Sequence, residues 1–306
     1  MVLVVVPTRE LAVQVHEVFQ TFSKALSERI KTLVVYGGVS INPQMMAMNH
    51  VQILVATPGR LLDLVDSKAV HLSGVKTLVL DEADKMLNLG FKEEMNRILD
   101  LLPTKRQNLL FSATLSPKLD SLSAVLMKDP VVIKIESEEN DIDLIQQSGY
   151  FVPEEKKGPL LRYLIKTKDL KQVLVFTSST YKADNVADKL RKNGIKAESI
   201  HGKMSQSARN NALNKFKDGN LPVLVATDLL SRGIDIAFLP YVINYELPRS
   251  PKDYIHRIGR TGRAENPGTA ISFVSPDNVH HFKVILKKAK LWIDMINSDT
   301  LDLHGY

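Results

Sequence analysis

The sequence predicts an α/β protein built as two tandem units, each a parallel sheet flanked by helices. Three observations predict it. Short Val/Leu/Ile runs alternate with helical patterns along most of the 306 residues, the rhythm of parallel α/β architecture. The segment LVAT starts at Leu54 and again at Leu224, 170 residues later, and Thr8 of VVVPTRE lies 169 residues before Thr177 of LVFTSST. A near-constant offset marks two copies of one architecture. Between the copies, ESEENDIDLIQQSG (136–149) is acidic and has no apolar stripe, so it reads as a linker. The expected divisions are 1–136, a linker over 137–149, and 150–306.

The chain opens on MVLVVVPTRE, and its apolar residues 2–6 have the composition of a strand buried on both faces. Leu11, Val15, Val18, Phe19, Phe22 and Leu26 then share one face of a helix. Apolar runs at 33–36, 53–56, 77–80, 109–111 and 131–135 supply the remaining strands of the first unit. Runs at 173–176, 199–200, 223–226, 241–244 and 270–274 supply those of the second. FKVILKKAKLW (282–292) predicts an amphipathic helix with a basic face, serving to pack. His280 and His281 have no further ligands at metal-binding spacing and read as a surface pair.

A hydrophobic fraction of 44% and a charged fraction of 24% are those of a soluble globular protein. No run approaches the ~20 apolar residues of a membrane span, and the start lacks the basic region of a signal peptide. The absence of cysteine excludes disulfides and thiolate metal sites and suits a reducing cytosol. The net charge of +6 is unevenly placed. Residues 1–140 carry 15 Lys/Arg and 16 Asp/Glu, whereas residues 141–306 carry 25 and 18. A basic second half fits a polyanionic partner.

Ligands of open α/β sheets bind beyond the carboxyl ends of the strands. The residues there are PTRE, GG, TPGR, DEAD, SAT, FTSST, HG and TD, nearly all small, hydroxylic, charged or glycine. TLVLDEADKM sets Asp81 and Glu82 at the tip of a buried strand. A carboxylate there can hold Mg2+, directly or through water, while its neighbour orients an attacking water. HRIGRTGR (256–263) combines three arginines and a histidine with glycines at 259 and 262. Guanidinium groups match phosphate oxygens, and an arginine supplied to a phosphoryl group from a second domain is an arginine finger.

The ordered set PTRELA (7–12), GG (37–38), TPGR (57–60), DEAD (81–84), SAT (112–114), VFTSS (175–179), ATDLLSRGIDI (226–236) and HRIGRTGR (256–263) resembles the DEAD-box ATP-dependent RNA helicases of superfamily 2. LPTKRQNLLFSAT, IHGKMSQSAR and NYELP further resemble the bacterial RhlE-like branch. The resemblance implies two RecA-like domains that close around ATP and single-stranded RNA, in a cytoplasmic monomer. It implies that Asp81 and Glu82 serve Mg2+ and the attacking water, and that Ser112, Thr114 and Asp84 link hydrolysis to domain movement. Asp235 would contact the ribose, Arg260 and Arg263 the γ-phosphate, and His256 would join the interdomain polar network. Arg9, Gly38, Thr57, Gly59 and Arg60 would hold the RNA backbone from the first domain, and Gly202, Arg209 and Thr227 from the second. The motif positions offer few aromatics, which fits backbone tracking rather than base readout.

The family's pattern also includes a glutamine motif and a P-loop, G-x-x-x-x-G-K-[ST]. The one Gly-Lys pair here, at 202 and 203, is followed by Met204 and preceded at the required spacing by Ala197. The expectation is a first RecA-like domain lacking its P-loop portion. The chain is then an RNA helicase by family whose ATP hydrolysis is defective in these residues alone. The rival reading is a non-enzymatic RNA-binding fragment or regulator, and a DNA translocase is a third.

Overall fold

The computed structural model describes residues 1–112, 126–127, 129–134, 144–228, 239–262 and 268–306. It divides into two units, Met1–Lys134 and Ile135–Tyr306. The first contains β1 (Val2–Val5), β2 (Thr32–Val35), β3 (Ile53–Ala56), β4 (Thr77–Leu80) and β5 (Gln107–Leu110), in the order β2-β3-β1-β4-β5. Helices α1 (Arg9–Lys24), α2 (Asn42–Ala47), α3 (Pro58–Asp66), α4 (Ala83–Asn88) and α5 (Lys92–Asp100) connect the strands, and every pairing is parallel. The opening apolar run is the central strand, with β3 on one side and β4 on the other. Its alternation feeds two cores, as the period-2 geometry of a strand requires. Leu3 and Val5 join Leu54, Leu61 and Leu78 on one face, while Val4 and Val6 join Ala12 and Val55 on the other.

Helix α1 departs from its predicted face. Leu11, Val15 and Phe19 pack on the sheet, but Val18, Phe22 and Leu26 are 49%, 68% and 55% exposed. A four-residue strand spans about 13 Å and a sixteen-residue helix about 24 Å, so the last turns overhang the sheet. The expected strand at 131–135 also differs. Residues 131–134 are not strand, and Val131, Val132 and Ile133 lie open to solvent; residue 135 lies outside the described residues. Apolar composition makes a strand only where a neighbour completes the ladder, and among the described residues none pairs with this run.

The second unit holds β6 (Ile145–Phe151), β7 (Val173–Thr177), β8 (Ala197–Ile200), β9 (Val223–Thr227), β10 (Tyr241–Asn244), β11 (Gly268–Val274) and β12 (Asp294–Asn297). Their order is β12-β6-β11-β10-β7-β9-β8, again all parallel. Its helices among the described residues are α6 (Lys157–Thr167), α7 (Thr180–Lys192), α8 (Gln206–Lys217), α9 (Pro251–Ile258) and α10 (Val279–Ala289). Leu161 and Leu164 of α6 and Val186 and Leu190 of α7 cover one face over Val175, Val225, Ile243 and Phe273. Phe216 of α8, Tyr254 and Ile258 of α9, and Phe282 and Ile285 of α10 cover the other.

Strands β6 and β12 are additions to the sequence-based expectation, and β6 takes in residues 145–149 of the expected linker. Ile145 and Tyr150 are buried, but Gln146, Gln147 and Ser148 between them hide the pattern. Gly149 is there because β12 comes close: a Cβ at this position would sit 2.3 Å from Met295 Sδ.

Candidate functional site

At the carboxyl end of β4, the Asp81 N–H donates to Val5 O at 3.1 Å, which continues the ladder one residue past the strand. Glu82 then adopts the left-handed conformation (φ 52°, ψ 45°) and starts α4. Its N–H donates to Asp81 Oδ1 at 2.8 Å, and the Lys85 ammonium pairs with its carboxylate. Burial pushes both carboxyls above their ordinary values, against the opposing pull of the Glu82 N–H on Asp81 and of Lys85 on both. Glu82 Oε2 is buried with no hydrogen-bond partner. Two desolvated carboxylates, one with an unsatisfied oxygen, suit a divalent cation. Among the described residues no cluster of three or more His, Asp or Glu could hold a metal. Mg2+ needs none, because it binds through one or two carboxylates and otherwise through waters and phosphate oxygens. Asp84 is 4% exposed on the first turn of α4, and the Ala83 N–H donates to Phe111 O at 3.1 Å. That bond ties the acidic turn to the residue just before the half-buried Ser112.

This geometry makes a stability prediction. A carboxyl whose pKa is raised on folding contributes most stability at low pH and loses it as pH rises through the raised value. Asp81→Asn therefore raises the melting temperature of the metal-free chain by a few degrees near neutral pH. The gap over wild type closes as the pH falls into the carboxylate range. Thermal unfolding at the two pH values reads it, and a variant no more stable at neutral pH would show that burial of the charge costs nothing.

The other first-unit residues gather at the same sheet edge. Arg9 opens α1 behind the capping Thr8. Its guanidinium lies against Gly38 (φ +78°), where a Cβ would fall 2.1 Å from Nη1; only glycine accepts both that angle and that approach. Thr57 is the N-cap residue of α3, with Pro58 at the first helical position. A Cβ at Gly59 would meet nothing within 4 Å, so the space over this helix N-terminus is open. Arg60 is 8% exposed. It donates to Val39 O at 2.9 Å and to Asp63 at 3.3 Å, which fastens the glycine loop to α3, and its Nη1 is buried without a hydrogen-bond partner.

In the second unit, Thr227 ends β9 and is 7% exposed. The next residue, Asp228, accepts two bonds from Arg257 of α9, at 2.6 and 2.8 Å. Arg257 is 1% exposed. It also donates to Asn244 Oδ1 at 3.0 Å and Glu246 O at 2.6 Å and lies 4.9 Å from the Phe176 ring centroid. One guanidinium thus joins the ends of β9, β10 and β7 to α9. Sequence reasoning took His256, Arg260 and Arg263 from this motif and missed Arg257; nothing in the spacing separates a buried arginine from a ligand-facing one. His256 shares α9, one residue away. Arg260 lies past the end of α9, where its carbonyl accepts from the Leu239 N–H at 3.0 Å. Leu239 precedes β10, so Arg260 sits at the amino end of the sheet, unlike the strand-end motifs. Thr114, Asp235 and Arg263 lie outside the described residues.

Gly202 lies in a turn closed by the Met204 N–H to His201 O bond at 3.1 Å. His201 Nε2 is 2.9 Å from Asp184 Oδ1. Burial pushes the Asp184 carboxyl up, but bonds from Ser199 and His201 outweigh it and hold the group below its usual range. Arg209 is buried on α8, with Nη2 2.5 Å from Gln206 Oε1. A further polar group escaped sequence reasoning. Glu246 accepts the Ser178 N–H and O–H, both at 2.8 Å, while Glu154 binds Lys157 and Lys182, each at 2.7 Å. With Arg249 and His281 these residues, apart from Lys182, line a cavity of about 340 Å3.

Comparison with known proteins shows what this arrangement belongs to. The DEAD/DEAH box helicase family matches residues 1–122, and the helicase conserved C-terminal domain matches 156–265. A solved DEAD box protein from Methanococcus jannaschii is 38% identical, with 96% of this chain and 79% of that one covered and a TM-score of 0.52. This chain belongs to the DEAD-box RNA helicase family. DEAD-box ATP-dependent RNA helicase CshA of Bacillus cereus is 40% identical over 301 residues, and CshA of Bacillus subtilis 39%. The match takes in 98% of this chain but 57% and 60% of those relatives' lengths. Saccharomyces cerevisiae Dbp5 bound to RNA and ADP BeF3 superposes with a TM-score of 0.85 at 30% identity, covering 98% of this chain and 78% of that one. The two parallel sheets are thus the tandem RecA-like domains of DEAD-box helicases.

Proposed function

We propose that this chain is the core of an ATP-driven RNA helicase that grips the RNA backbone, in the cytoplasm and as a monomer. One observation carries the RNA-binding reading. Both sheets place helix N-termini, capped by Thr8, Ser179 and Ser205, or opened by Thr57, at their carboxyl edges. Helix N-termini bind phosphate through free N–H groups and the helix dipole. Arg9, Gly38, Thr57 and Gly59 form the first-domain surface for the backbone, with Arg60 fixing the glycine loop. Gly202 and Thr227 form the second, with Arg209 positioned from α8. Contacts to phosphate and sugar are blind to base sequence.

Asp81 and Glu82 would hold Mg2+, which would supply positive charge to offset that of the ATP phosphates. Glu82 orients the water whose oxygen bonds to the γ-phosphorus as the bond to the β–γ bridging oxygen breaks, giving ADP and phosphate. Arg260 and Arg263 stabilise the charge on the transferred group. His256 joins the interdomain polar network, and Asp235 contacts the ribose. Ser112, Thr114 and Asp84 couple the step to movement between domains. Residues 1–306 contain no P-loop lysine, so these residues by themselves hydrolyse ATP very slowly.

The test is RNA affinity against salt. Each neutralised phosphate of a single strand contributes a slope of about −0.7 to log K against log salt, so a surface of several contacts loses affinity steeply. Comparable binding at low and high salt, or strong preference for one base sequence, would remove this reading.

A further inference from the structure

Helix α10 carries a surface that the helicase site does not use. Its inner side chains, Phe282 and Ile285, are buried, as the packing role predicted. Outward, His280, Lys283, Lys287 and Lys290 are all exposed. Their spacing of three, four and three residues puts them on one ridge. The three lysines and the neighbouring Lys288 make no side-chain hydrogen bond or ion pair with the described residues. The helix ends at Lys290, in the left-handed conformation (φ 56°, ψ 39°). Two residues on stands Trp292, 91% exposed and the chain's single tryptophan. Leu291 and Ile293 on either side pack into the core, so the backbone holding the indole is anchored while the ring faces solvent.

The ridge also has a direction. Helix α10 follows β11 and leads into β12, which is parallel to its neighbour β6. It therefore starts at the carboxyl edge of the sheet, where His281 approaches Pro248 O at 2.8 Å beside Arg249, and ends at the amino edge. A line of cations that leads away from the proposed RNA edge and ends on a bare aromatic face has the composition of a single-strand track. Phosphates follow the positive charge, and a base stacks at the end. A protein partner would have to neutralise the same unpaired lysines while burying one lone ring.

We propose that the α10 ridge and Trp292 form an auxiliary single-stranded RNA track, on which RNA leaving the carboxyl edge runs over Lys283, Lys287 and Lys290 and stacks a base on Trp292. This rests on the RNA-binding reading above. Because Trp292 is the only tryptophan, its fluorescence reports on the site directly. Titrating the full chain with fluorescein-labelled oligouridine should quench that emission in step with the rise in RNA anisotropy. Trp292→Ala should weaken binding about tenfold, as loss of one stacked base does, and Trp292→Phe should restore most of it. Lys287→Glu with Lys290→Glu should weaken binding and flatten its salt dependence. Both positions are exposed, so the variants keep the core intact. If RNA binds by anisotropy while the emission is unchanged and Trp292→Ala matches wild type, the track does not exist and the surface serves another partner, such as a protein. If the wild-type chain shows no anisotropy change at all, the RNA-binding reading fails and takes this inference with it.

Discussion

Arg257→Ala is expected to destabilise the second unit by about 3–5 kcal/mol, the usual cost of breaking a buried ion pair from one side. The partners lose unequally. Asp228 is one-third exposed and regains part of its solvation. Asn244 is fully buried, and its side-chain oxygen loses a donor it cannot replace from water, at about 1–3 kcal/mol. The void over Phe176 adds to this. Arg257→Lys recovers little, because an ammonium cannot span Asp228, Asn244 and Glu246 together. Urea unfolding of the full chain should show the transition of the second unit displaced to lower denaturant and that of the first unmoved. A loss below about 1 kcal/mol would mean that the guanidinium is dispensable to the fold. Any effect on catalysis would then have to be read as direct.

Arg260→Ala is expected to leave stability nearly unchanged and to lower RNA-stimulated ATP hydrolysis by about 10³–10⁵, the range of arginine fingers. Arg260 is only half-buried, past the helix end, so its removal opens no core. The measurement is RNA-stimulated phosphate release in a form of the protein that carries a P-loop, set beside residues 1–306 alone. Arg260→Lys should not rescue, since a point charge lacks the planar fork. Full turnover by Arg260→Ala would strike it from the catalytic set. Rapid RNA-stimulated turnover by residues 1–306 alone would mean that the phosphates are held by residues other than a P-loop.

The two arginines show where the sequence was legible and where it was not. Arg257 and Arg260 stand three residues apart in one motif, yet Arg257 is a buried strut on α9 and Arg260 lies half-buried past the helix end. That difference lies in Arg257 reaching Phe176 from α9 while Arg260 follows the helix end, and a motif does not encode it. The place of Asp81 and Glu82 at a strand tip was readable because an uninterrupted apolar strand leads straight into them, and β1 because apolar density alone marks a central parallel strand. Strand β6 was hidden because its inner positions are filled by Gln147 and Gly149, which suit a neighbouring Tyr254 hydroxyl and a close β12 rather than bulk hydrophobic packing. The outward half of the α1 stripe was misread for the opposite reason: apolar periodicity states what a helix could bury, not how far the sheet beneath it extends. The group around Glu154 and Glu246 brings together residues distant in sequence and has no local signature.

The position of β6 bears on how this protein is made. It is the first described strand of its unit to leave the ribosome, but its two neighbours are among the last: Ile145 waits for Gly268, and Ser148 for Asp294. Non-local parallel pairing of this kind is slow and leaves strand edges open meanwhile. The five described strands of the first unit can pair while the second is still being translated. The second cannot close its sheet until the C-terminal residues emerge, so a ribosome stalled before Asp294 would present a nascent chain with an unpaired strand, the kind of species that chaperones bind.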